Sequence, residues 1–226
     1  MDERLSLAID ASRRWYDEVF AMHGVGVRSD GRLWVAASQP PPWHSAVKTF
    51  HPDVTTAEVL AAMEEHPSGS IADSFGTLDL APHGFELIID ASWVFHPGRG
   101  STAGPSDWVV VDDPALLERW SSEHDYAGVL LPEVLANPAF RVLARLDRAT
   151  PVAGAVLLDA GPAVGASNLW SKDGTVSARE ALDVLAVAGT LRPGAPVVDY
   201  ARGAELAVLL EAGYEQLGPQ RVWLRS

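Results

Sequence analysis

The segment Asp199-Tyr200-Ala201-Arg202-Gly203 brings an acid, a phenol and a guanidinium together between an apolar run and a helical pattern. Ligands gather where the strands of an α/β sheet hand over to helices. On that reading Tyr200, with Asp199 beside it, is a catalytic candidate able to give up a proton, and Arg202 is a clamp for an anionic group. The plainer reading, which the residues favour, is that Asp199 caps locally, Tyr200 packs and Arg202 is solvated. Ser167-Asn168 interrupts an otherwise apolar segment. Buried polar groups need partners, so these side chains either meet a ligand or satisfy a bulge or strand end.

Other chemistries find less support. The seven histidines are scattered, and none has the spacing of a metal site or of an H-E-x-x-H helix, so no metal is expected. His83 and His96 flank an apolar run that contains Asp90. Either could be a base beside that carboxylate, although histidines at strand ends are usually surface groups. No G-x-S-x-G elbow or G-x-x-x-x-G-K-[ST] loop occurs, which removes hydrolase and nucleotide-triphosphatase readings. Of the eight tryptophans, Trp34, Trp43, Trp93 and Trp170 are candidates to wall an apolar pocket, with core packing the default.

The net charge of −13 comes from 30 acidic against 17 basic residues. Such a surface repels phosphate backbones, so nucleic acid is not an expected partner. It leaves room for a local basic pocket. Without cysteine the chain has no disulfide, thiolate ligand or cysteine nucleophile. No apolar stretch reaches the roughly 18 residues of a membrane span, and Met1-Asp2-Glu3-Arg4 opens no signal core, so a cytoplasmic address is expected and no membrane partner. Composition does not speak to oligomeric state.

These candidates depend on the elements that hold them. An imperfect helical stripe covers residues 3–22, and Arg32 to Ala36 reads as a short strand. Thr55 and Glu58 form a capping box for a helix running to about His66, where Pro67-Ser68-Gly69 stops it. Phe85 to Phe95 is a long strand. The breaker cluster from His96 to Ser106 marks an internal boundary, giving halves 1–97 and 107–226 around a linker, 98–106. Beyond it come a strand at 108–111, a helix at 114–123 and strands at 140–148, 152–159 and 163–170. A helix at 176–188, a strand at 195–200, a helix at 205–212 and a final strand at 214–224 complete a mixed sheet. Gly84-Phe85-Glu86-Leu87 parallels Gly213-Tyr214-Glu215-Gln216, and both open long strands that carry a tryptophan. The expectation is two related halves.

Val152 to Leu157, Val164 to Trp170 and the ending Glu211-Ala212-Gly213-Tyr214-Glu215-Gln216-Leu217-Gly218 resemble the GNAT superfamily of N-acetyltransferases. Ser70 to Trp93 is similar to the first half of actinobacterial GNAT-like proteins, so the resemblance spans most of the chain. It implies an α/β fold with a mixed, mostly antiparallel sheet whose two central strands splay apart to admit acetyl-coenzyme A. Ser167, Asn168 and Leu169 would then meet the acyl or pantetheine part. Lys172, Gly174 and Arg179 would lie at the phosphates, and Trp93, Trp170 and Arg202 at the substrate. Such an enzyme passes an acyl group to a small amine. Two departures cut against this. The stretch Ser171 to Arg179 has one glycine and an acid, Asp173, where the family carries a glycine-rich phosphate loop at a helix N-terminus. Leu209 occupies the place of the tyrosine that often protonates the departing thiolate, and Arg202 that of an asparagine. The alternative is a non-catalytic GNAT-like module that binds a small molecule or a protein, or another reaction on the same fold.

Overall fold

The computed structural model describes residues 2–98 and 107–225, so all but the first residue of the expected linker lies outside the described residues. The first half contains α1 (Glu3–Met22), β1 (Val27–Ser29), β2 (Leu33–Ala36), β3 (Val47–Thr49), α2 (Thr56–Ala62), β4 (Ser70–Asp73) and β5 (Phe85–His96). The second contains β6 (Trp108–Val110), α3 (Pro114–Glu123), β7 (Phe140–Asp147), β8 (Thr150–Asp159), β9 (Val164–Ser171), α4 (Ala178–Leu191), β10 (Val197–Ala201), α5 (Gly203–Glu211) and β11 (Glu215–Arg225). Helix starts follow local chemistry. Asp2 accepts the Arg4 amide at the head of α1, Asp113 accepts that of Leu116 with Pro114 in the first turn, and Thr55 and Ser177 head complete capping boxes.

The eleven strands of the described residues form one sheet, in the order β1-β2-β3-β4-β11-β5-β10-β9-β8-β7-β6. Only β3/β4 and β9/β10 run parallel; the other neighbours are antiparallel. The last strand of each half pairs into the other. β11 lies between β4 and β5, and β5 lies between β11 and β10. Gly84 and Gly213 both take left-handed backbone (φ 80° and 93°), ending a helical turn just before β5 and β11 begin.

Both faces of the second half are covered, and β8 shows how. Ala153, Ala155 and Leu157 pack with Ala181, Val184 and Leu185 of α4 and Leu209 of α5. The alternate residues Val156 and Leu158 pack with Leu117 and Trp120 of α3. α1 crosses the seam on the α3 side, burying Ala8, Ile9, Ala11 and Phe20 against Trp34, Trp93, Ala163 and Val198. Two boundaries differ from expectation. The α2 helix ends at Ala62 and tightens into a 3-10 turn over Met63–Glu65, and the sequence reading missed β1, β3 and β4 as strands. No helix among the described residues is long and apolar enough to cross a membrane.

Candidate functional site

β9 and β10 pair only at Val164↔Val197 and Gly165↔Val198, and then part. The cause lies on β9. Its register with β8 slips between Trp170↔Gly154 and Ser167↔Val156, so that Asn168 and Leu169 stand opposite one residue. Asn168 carries the bulge in left-handed backbone (φ 53°), which asparagine tolerates better than most residues. Its amide donates to Ser167 Oγ (3.1 Å), and its Oδ1 lies 3.2 Å from His124 Nε2. Ser167-Asn168 is thus a bulge that also faces a ligand-sized space.

That space is a cavity of about 490 Å³ beneath α1, in the opening between the two strands. Trp15, Tyr16, Trp93, Tyr126 and Tyr200 supply aromatic walls, with Trp43 at the rim and Ala8, Ala11 and Gly165 leaving the room. Asp125, Asp199 and Glu205 also line it, and among the described residues no lysine or arginine does. Burial pushes the Asp199 carboxyl well above the carboxylate range, and the neighbouring Glu205 charge adds to this. Burial likewise pushes Glu205 up to about 7, against the pull of Arg202. Tyr200 meets Trp93 edge to face at 5.5 Å, and burial raises its phenol, so it is a weak acid at neutral pH. Of these groups Glu205 is the one whose proton moves most readily near pH 7.

Two histidines line the cavity without being free bases. His44 accepts Trp15 Nε1–H at Nε2 (3.0 Å), and its Nδ1 lies 2.8 Å from the Pro42 carbonyl, which fixes a neutral ring. Burial pushes that imidazole down to about 4. His124 stacks on Trp170 (5.4 Å, 10°) while it engages Asn168, and burial lowers it too. Both orient neighbours.

Of the residues singled out from sequence, Asp199, Tyr200, Ser167, Asn168, Leu169, Trp93 and Trp43 meet in this cavity. The others do not. Trp170 is buried in the core between His124 and Trp120. Lys172 pairs with Glu123 (2.8 Å), and Gly174 forms an open left-handed turn. Arg202 turns away to the Ile88 carbonyl (3.0 Å). Leu209 is 2% exposed and belongs to the core under α5, so no acid stands at that position. Sequence reading missed Trp15, Tyr16, His124, Tyr126 and Glu205. The pair Trp15-Tyr16 in the broken apolar stripe of α1 was the available signal.

A second cavity, of about 310 Å³, lies at the N-terminus of α4, where the resemblance would place coenzyme phosphates. Asp107, Asp173, Glu180 and Asp183 line it with Arg145 and Arg179. Most of its charged groups are already paired with one another. Glu180 Oε2 accepts both the amide and the hydroxyl of Ser177 (2.8 and 2.9 Å), and Oε1 takes Arg145 (2.7 Å). The Thr175 amide goes to Asp173 (3.0 Å), and Arg179 pairs with Asp183 (3.0 Å). The helix N-terminus thus holds a carboxylate of its own chain in place of an outside anion. These residues do not fit a pyrophosphate. Among the described residues, no three His, Asp or Glu are grouped to hold a metal.

The architecture is that of the GCN5-related N-acetyltransferases. The chain is similar to such a protein from Kribbella flavida at 15% identity and a TM-score of 0.61, over 96% of both chains. It is similar to one from Sphaerobacter thermophilus at 9% identity and 0.56, over 98% of this chain and 91% of that one. A functionally unknown conserved protein from Staphylococcus epidermidis matches at 12% identity and 0.62, over 88% and 92%. The likeness therefore runs through both halves, and at these identities it concerns the fold. No protein-family model matches the sequence, and no curated protein matches it either.

Proposed function

We propose that this GNAT-fold chain binds a small, positively charged amine in the central cavity. One observation carries the reading: an aromatic-walled space lined by three carboxyl groups and, among the described residues, by no lysine or arginine. An ammonium group would meet aromatic faces and carboxylate together, the pairing that recognises organic cations. Its charge would favour ionisation of Glu205, so affinity should rise as pH passes through about 7. Coenzyme A held at the α4 N-terminus has no part in this reading, because Glu180 already places a carboxylate on the Ser177 amide and hydroxyl there.

Phenethylamine, a compact aromatic amine, tests the idea by calorimetry against phenethyl alcohol, its uncharged counterpart. The amine is expected to bind at least ~10-fold more tightly, a difference of about 1.4 kcal/mol, and to lose that advantage in Glu205→Gln. Equal affinity for the two would overturn it. A second reading, transfer of an acyl group from coenzyme A to the amine, is favoured by the splay of β9 and β10 and by the bulge at Asn168. Acetyl-coenzyme A should give no heat on the first reading. On the second it should bind and release free thiol when the amine is present.

A further inference from the structure

Lys48, in the middle of β3, is 1% exposed. Its Nζ lies 4.8 Å from the centre of the Tyr16 ring, 5.4 Å from that of Trp93 and 6.0 Å from that of Phe50. Asp73, on the adjacent strand β4, does not take it as a partner. The Asp73 oxygens accept Thr49 Oγ1 and the amides of Phe75 and Leu78. Among the described residues no hydrogen bond or ion pair reaches Lys48 Nζ. An unpaired charge is costly inside a protein, and burial pushes this amine down to about 7, Asp73 opposing. A buried amine of this kind is a nucleophile at neutral pH.

Its place in the fold gives it a target. In the parallel pair β3/β4, Lys48 stands opposite Ala72, and in β9/β10, Gly165 stands opposite Val198. Lys48 and Gly165 therefore hold the same position in the two parallel pairs. Gly165 lines the central cavity, and so do Tyr16 and Trp93, the rings against which Nζ rests. The amine thus lies behind two of the rings that wall the cavity.

We propose that Lys48 forms an imine with small, neutral aldehydes that enter the central cavity and pass Tyr16 and Trp93. The Nζ lone pair forms a bond to the carbonyl carbon as the C=O π pair moves to oxygen. The two protons that leave nitrogen end on that oxygen, which departs as water, leaving C=N. No oxidant, reductant or further reactant takes part. The inference is independent of amine binding, because it depends on a side chain outside the carboxylate cluster.

The chain has only two lysines, Lys48 and Lys172, so the test is compact. Full-length protein is treated with benzaldehyde and cyanoborohydride at pH 7.5, and the adducts are mapped by peptide mass. A parallel sample is labelled in urea, where both lysines are exposed. An ordinary lysine is about 0.1% neutral at that pH. Lys48 should therefore be labelled at least ~10-fold faster than Lys172 in the folded protein, and the two should react alike in urea. Gly165→Val, which narrows the route, should slow Lys48 and leave Lys172 unchanged. Slower labelling of Lys48 than of Lys172 in the folded state marks a buried structural amine and overturns the proposal. So does indifference of Lys48 to the Gly165 substitution.

Discussion

Glu205 carries more consequence than its place in the first turn of α5 suggests. Its carboxyl ordinarily titrates at 4.5 and is raised to about 7 in the fold. Between those values the folded protein holds a proton that the unfolded chain has released. The group therefore favours folding fully below pH 4.5 and ceases to do so as pH rises through 7. Replacing it with glutamine, which has no proton to lose, should flatten that part of the stability profile. Unfolding free energies from urea titrations at pH 4.5 and 7.5 should differ less in Glu205→Gln than in the wild type, by roughly 2–3 kcal/mol. An unchanged profile would mean that the carboxyl is solvated. Glu205 also shows why half of the site was hidden. Asp199 and Tyr200 sit in a legible strand-to-helix junction, whereas Glu205, Trp15 and Tyr126 belong to no common motif and are brought together only by the folded chain.

Among the elements, α4 shows how a helix start can close a site. The Ser177-Glu180 box is readable from sequence as a capping signal. That its glutamate also takes Arg145 of β7, at 6% exposure, is not, because the partner lies 35 residues earlier in the chain. Glu180→Ala removes the Glu180 half of the capping box and leaves Arg145 without its carboxylate. It should cost about 2 kcal/mol, measured by denaturant unfolding. No loss would show that Arg145 and the Ser177 amide find solvent at no penalty. The long strands β5 and β8 were legible because apolar residues recur along ten or more positions, and β11 because the Gly213-Tyr214 turn marks its start. β1, β3 and β4 were not. They are three or four residues long, β1 is exposed throughout, and β3 buries a lysine where the pattern called for an apolar residue. The imperfect stripe of α1 has a similar origin, since Ala8, Ala11 and Ser12 also border the cavity, where small side chains leave room.

For the whole molecule, the seam decides the behaviour. β5 and β11 pair along nearly their full lengths, from Phe95↔Glu215 to Phe85↔Arg225. Each also borders the other half, β5 at β10 and β11 at β4. Neither half can complete its sheet alone. Fragments 1–98 and 107–226, made separately, should show little fixed tertiary structure, and mixing them should restore near-ultraviolet dichroism. Independent folding of either would place the cooperative boundary elsewhere.

The seam also imposes an order of events on biosynthesis. On the ribosome, β4 emerges early and finds β3, but its other neighbour is β11, the last strand to be made. Until then β4 offers an open edge, and β5 has no partner from its own half. The nascent first half must wait through the translation of the second with unpaired strand edges that invite misassembly, the interval in which holding chaperones matter most.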